Sequence, residues 1–180
     1  LLAIPFSLLL GAGHAFGQGT GGAGGVHTWL GTSSTDFFDT ANWNTGNWPN
    51  GIANYGPDGG ANTTVVRSSQ TYTYQYGIQF TNTTDTNGSY DISGTQAFDF
   101  RNFGVRTSTM SSGTLNEVIH NDIIRNGEYG YETGAGHDLT LNGVISSGTD
   151  LIKKGDGTLY LNGANTYTGA TTINGGVLEV

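Results

Sequence analysis

Apolar residues two apart recur at nearly constant intervals along this 180-residue chain. Ile78/Phe80, Phe98/Phe100, Val118/His120, Leu139/Leu141, Leu159/Leu161 and Leu178/Val180 each begin about 20 residues after the pair before, a spacing typical of a repeat. Only His120 breaks the apolar rule. A spacing of i to i+2 puts both members on one face of a strand. Repeated every ~20 residues, such a face describes the coils of a parallel β-solenoid, in which each coil covers the apolar side chains of the next. Ile92-Ser93-Gly94, Leu141-Asn142-Gly143, Leu161-Asn162-Gly163 and Ile173-Asn174-Gly175 add a second signature. Each is an apolar residue, a small polar one, and a glycine free to take positive φ at a corner. An antiparallel sandwich is the competing fold, but its hairpins recur every ~8–12 residues. The expected class is therefore all-β, a parallel β-helix with coils of about 20 residues.

Composition supports this and narrows the function. Glycine fills 31 positions, and charged residues make up only 11% against a usual ~25%. Six Lys/Arg against 14 Asp/Glu give a net charge of −8, too few cations for nucleic-acid phosphates or an anionic membrane. With no cysteine, thiol nucleophiles, disulfides and Cys-ligated metals are excluded.

Residues 1–17 open on an uncharged apolar run, Leu1 to Leu10, followed by small residues. They read as a secretory signal truncated at its start, too short to span a bilayer. Residues 18–27 form a Gly-rich linker. Residues 28–64 hold all three tryptophans, Trp29, Trp43 and Trp48, and read as a cap plugging one end of the array. The alternative for these rings is a sugar-stacking platform. Residues 65–180 are the expected β-helix region.

The C-terminal stretch Leu151-Ile152-Lys153-Lys154-Gly155-Asp156-Gly157-Thr158-Leu159-Tyr160-Leu161-Asn162-Gly163 through Ala170-Thr171-Thr172-Ile173-Asn174-Gly175-Gly176-Val177-Leu178-Glu179-Val180 closely resembles the autotransporter-associated β-strand repeat. The resemblance implies a right-handed β-helix in a bacterial protein, secreted or held at the outer membrane or cell surface. It also implies a passenger scaffold with no assigned catalytic residues and no cofactor. Autotransporter passengers cross the outer membrane through a C-terminal β-barrel, so a barrel or further repeats are expected beyond Val180, unless this is an exported repeat protein that lacks one.

No dense chemical constellation stands out. His137 beside Asp138 reads as an ordinary surface or turn histidine rather than a metal or acid/base pair, since neighbouring strand residues point to opposite faces. Gly155-Asp156-Gly157 lacks the repetition of a calcium-binding solenoid turn and reads as a β-turn. No pair of carboxylates is joined by a clustered base. The expected function is a non-catalytic surface scaffold, a stalk or adhesive passenger. The alternative is a polysaccharide-binding or polysaccharide-degrading β-helix with Trp43, Trp48, Tyr72, Tyr74 and Tyr76 as glycan contacts. Expected partners are a surface polysaccharide or a host or neighbouring cell surface.

Overall fold

The computed structural model describes residues 25–46, 49, 51–56, 63–67, 74–85, 88–125 and 127–180. The expected signal, residues 1–17, and most of the linker lie outside them. The described strands are β1 (Val26–Thr28), β2 (Ile52–Tyr55), β3 (Thr64–Val66), β4 (Tyr74–Phe80) and β5 (Asp91–Ser93). They continue with β6 (Phe98–Thr107), β7 (Leu115–Ile119), β8 (Ile123–Arg125), β9 (Tyr131–Glu132) and β10 (His137–Leu141). The last four are β11 (Leu151–Lys154), β12 (Thr158–Leu161), β13 (Thr171–Ile173) and β14 (Val177–Glu179).

These strands stack in two parallel sheets. The first runs β1-β2-β4-β6-β9-β11-β13, and the second runs β3-β5-β7-β10-β12-β14. From β3 on, the chain visits the sheets almost alternately, so one lap contributes a strand to each: a parallel β-solenoid. β6 turns a corner. Its first residues pair with β8 and its last with β9, which opens a third column where Phe98 faces Ile123 and Ile123 bridges to Ile145.

The lap is not constant. The first sheet stacks Ala53, Ile78, Val105, Tyr131, Lys153 and Ile173 in one row. The second stacks Val65, Ile92, Ile119, Leu141 and Leu161. Hydrogen bonds between successive coils record how much chain each lap uses. Tyr90 to Glu117 spans a sequence separation of 27, Asn142 to His120 one of 22, and Asn162 to Asn142 one of 20. The expected short, even coil therefore holds only for the last laps. The core follows the cross-section. Wide early coils are filled by Trp29, Phe37, Trp43, Tyr55, Phe80 and Tyr90, while narrow late coils are filled by Leu139, Leu141, Leu151, Leu159 and Leu161, all buried. Each such side chain contributes roughly 1.5–3 kcal/mol of burial. The ring centroids of Trp29 and Trp43 are 5.1 Å apart, edge to face, and Tyr55 stacks on Phe80 at 5.4 Å.

Ile78, Phe80, Phe98 and Phe100 are also buried, but Ile78 lies over Val105, and Phe98 belongs to the third column. Val118 is a correction. It pairs with Thr140 and is half-buried, whereas Glu117, paired with Leu139, and Ile119, paired with Leu141, point inward. A one-residue slip exchanges the two faces of a strand, so His120 is exposed rather than in the wall. Ile173 and Val180 are exposed and Leu178 is half-buried, β13 and β14 being the edge strands of the two sheets among the described residues. The corner glycines differ from expectation too. Gly94 has φ 115°, but Gly143 and Gly163 are not in the left-handed region. They are glycine because a Cβ would meet the carbonyl oxygens of Asn121 and Gly143 at 2.1 Å.

The segment between β1 and β2 folds back onto β1 and β3. Asn44 N donates to the Thr28 carbonyl at 3.0 Å and Leu30 N to Asn42 at 2.7 Å, so residues 42–44 run antiparallel along the outer edge of β1. Phe37 N donates to Val66 at 3.0 Å, and Val66 N to Thr35 at 2.7 Å, so residues 35–37 lie on β3. Asp39 caps the short 3-10 turn Thr40–Asn42 by accepting from Ala41 N. β1 begins at Val26, inside the expected linker, and β2 lies inside the expected cap.

Candidate functional site

Of the expected glycan contacts, Trp43 is only 2% exposed and its Nε1 donates to the Phe37 carbonyl at 2.7 Å. It is a core residue, because the cap turns it under the edge of β1. Trp48 and Tyr72 lie outside the described residues. Tyr74 belongs to β4. Tyr76, next to inward Gln75, is half-buried. These residues do not come together as one described platform.

A different aromatic pair lies at the surface. Phe103 and the exposed Tyr129 stack at 5.3 Å, with Arg106 5.6 Å from the first ring and Lys154 5.7 Å from the second. Arg106 also pairs with Glu132 at 3.3 Å across β6 and β9. The two rings belong to neighbouring wide laps, so a search tuned to the shorter late period passes over them.

The outer face of the second sheet carries a polar ladder. Asn162 Nδ2 donates to Asn142 Oδ1 at 2.9 Å, and Asn142 Nδ2 lies 3.1 Å from His120 Nδ1. His120 Nε2 lies 3.3 Å from Asp91 Oδ2. The amide nitrogen can only donate, so Nδ1 accepts and Nε2–H donates to the carboxylate. The ladder thus links successive coils in one direction.

Arg67, Lys153 and a Glu117–His137 pair are ionisable groups inside the solenoid that the apolar pattern does not anticipate. Arg67 is buried with its guanidinium 4.0 Å from the Phe98 ring and 4.8 Å from that of Phe37, and it donates to the Ala97 carbonyl at 3.3 Å. Burial lowers its pKa to about 10, while the neighbouring Tyr55 opposes the shift. Lys153, inward on β11, satisfies its ammonium with the carbonyls of Lys154 and Gly155, both at 2.8 Å, and of Gly175 at 3.0 Å in the next coil. Burial holds it below the ordinary lysine range, partly offset by Asp156 and Asp138.

In the Glu–His pair, His137 Nε2 meets Glu117 Oε1 at 2.7 Å, both side chains fully buried. His137 Nδ1 lies 3.0 Å from the Ser108 carbonyl, and Glu117 Oε2 accepts from Tyr90 N. Burial raises the pKa of Glu117, against the lowering effect of His137 and the Tyr90 amide. Tyr90 is itself pushed up to about 12, by burial first and then by Glu117. His137 is not the expected surface or turn histidine but a buried residue that opens β10, and it points away from Asp138, whose Oδ1 accepts from Thr158 N at 2.6 Å, one coil on. Asp122 and Asp150 cap Val144 N and Ala170 N in the same way, each at 2.8 Å. These carboxylates serve backbone donors of neighbouring coils. Among the described residues no three His, Cys, Asp or Glu side chains converge as a metal site would require.

Comparison with known proteins gives the same picture at the C-terminal coils. The passenger-associated-transport-repeat family matches residues 151–180. A 78-residue stretch is 37% identical to the adhesin BmaC autotransporter of Brucella suis biovar 1 (strain 1330). That stretch is 43% of this chain and 2% of the adhesin. No solved structure matches. Residues 151–180, from β11 to β14, thus match a passenger-associated transport repeat and form the last described coils of a parallel β-solenoid.

Proposed function

We propose that this chain is part of an exported, non-catalytic scaffold displayed at a bacterial surface, a stiff stalk in an adhesin-type passenger. The observation that carries this reading is the unbroken parallel stack, which ends in a passenger-associated transport repeat. Consecutive strands advance ~4.8 Å per coil, so coils convert chain length into reach. Side chains between coils are taken up by ladders and caps rather than by a reaction centre. Export and display are tested by expressing the chain, joined to an autotransporter barrel, in a bacterium and probing intact cells with an antibody. Adhesion to host or neighbouring cells is then compared with cells carrying the barrel alone. Surface labelling with no gain in adhesion leaves the stalk and removes the adhesive role; no surface labelling sinks the reading.

Binding of a surface polysaccharide is a second reading, favoured by Tyr129 standing 52% exposed against Phe103 and between two cations. Aromatic faces and cationic donors together suit sugar rings and their hydroxyls. A glycan array with the parent chain and Tyr129→Ala separates specific binding from none.

A further inference from the structure

The geometry of Glu117 and His137 fixes how many protons the two can hold. The Ser108 carbonyl facing Nδ1 can only accept, so Nδ1 carries a hydrogen. One further proton then lies between Nε2 and Oε1, 2.7 Å apart. It belongs either to an imidazolium facing a carboxylate or to a carboxylic acid facing a neutral ring. Both forms have zero net charge. A second proton would set two donors against each other and leave a buried positive charge; removing the one present would set two lone pairs against each other. Among the groups packed around the pair, the Tyr90 amide and phenol approach from the β5 side, the Ser108 carbonyl follows β6, and Leu139 covers Glu117 from β10. The charge partner acting on Glu117 is His137. The pair also sits where the lap narrows, beside the stacked row Ile92, Ile119 and Leu141.

We propose that Glu117 and His137 hold one proton between them, so that the solenoid takes up a proton from solvent when this coil folds at neutral pH. In the unfolded chain histidine titrates near ~6.5 and glutamate near ~4.3. Above the first value the unfolded pair binds no proton and the folded pair binds one, so stability falls as pH rises. Between the two values both states bind one, and the pair adds no slope. Below the second the unfolded pair binds two, so stability falls as pH falls. The latch is tightest in mildly acidic medium and loosens on both sides.

The test is urea unfolding of the chain, followed by far-UV circular dichroism from pH 4 to 8.5, beside the double variant E117Q/H137Q. The other histidines, His14, His27 and His120, are common to both proteins, so their contribution drops out of the difference. The expected result is an unfolding constant that rises about tenfold per pH unit above ~6.5 in the parent relative to the variant, with a flat difference between ~4.5 and ~6.5. Parallel profiles overturn the proposal. Should the variant fail to fold, long-range proton–nitrogen NMR of the parent decides. His137 ring nitrogen shifts, Nε2 above all, that stay constant from pH 5 to 8 support the latch. An ordinary titration of that ring in the folded chain overturns it.

Discussion

Arg67 holds the cap to the first wide coils, and its removal is readable because all three tryptophans lie at positions 29–48. In Arg67→Met, a side chain of similar reach keeps the apolar contacts with Phe37 and Phe98 but loses the charge. Two desolvated cation–π contacts, at 4.0 and 4.8 Å, are worth up to about 2 kcal/mol each. The hydrogen bond to Ala97 adds about 1.5–3 kcal/mol. Against this, burial drags the guanidinium down to about 10, a penalty on the order of 3 kcal/mol that methionine escapes. The net loss is therefore about 1–3 kcal/mol, confined to the cap, because nearest-neighbour coupling in a solenoid lets a terminal unit open before the rest. Urea unfolding followed by tryptophan fluorescence is expected to shift to lower denaturant by that free energy, while the circular dichroism transition moves less. An unchanged fluorescence transition, or equal shifts in both probes, would refute the clamp.

Leu139→Ala, between Glu117 and Leu159 in the stack, is expected to cost about 2–5 kcal/mol by denaturant titration. Gly163→Ala, whose Cβ would lie 2.1 Å from the Gly143 oxygen, is expected to cost at least about 1–3 kcal/mol. Gly148→Ala, with nothing within 4 Å, is expected to stay within about 0.5 kcal/mol of the parent or to gain slightly; equal thermal shifts for the two alanines would contradict the close approach. Val118→Thr is expected to be nearly silent and Ile119→Thr strongly destabilising in thermal melts, and the reverse order would restore the register expected from the sequence alone.

The late coils were legible because nothing is inserted in them. Leu139, Leu159 and Leu178 are evenly spaced along the chain and are also direct partners in the ladder. Earlier the same interval misleads. Ile78 and Phe98 keep that interval in sequence, yet Ile78 stacks on Val105, because a wide lap carries additional residues around its third column. The interval and its apolar side chain make Val118 read as inward. A buried carboxyl satisfied by a histidine from the next coil inverts that rule, and only the folded stack brings the two together. Of the tryptophan cluster, Trp29 and Trp43 are buried in the core, and their setting depends on backbone hydrogen bonds to β1 and β3 that no local pattern encodes.

The folded-back segment at residues 35–44 gives the array a polarity. Its residues take up the Thr28 carbonyl and Leu30 amide beside β1 and both backbone groups of Val66 on β3, so fewer strand groups are left there as a template for a second molecule. Loosening that segment, by loss of Trp43 or of Asp39, would free the amides of Leu30 and Val66 and the carbonyls of Thr28 and Val66 together. The first symptom expected of such a lesion is fibril-like association at concentrations where the rest of the stack remains intact.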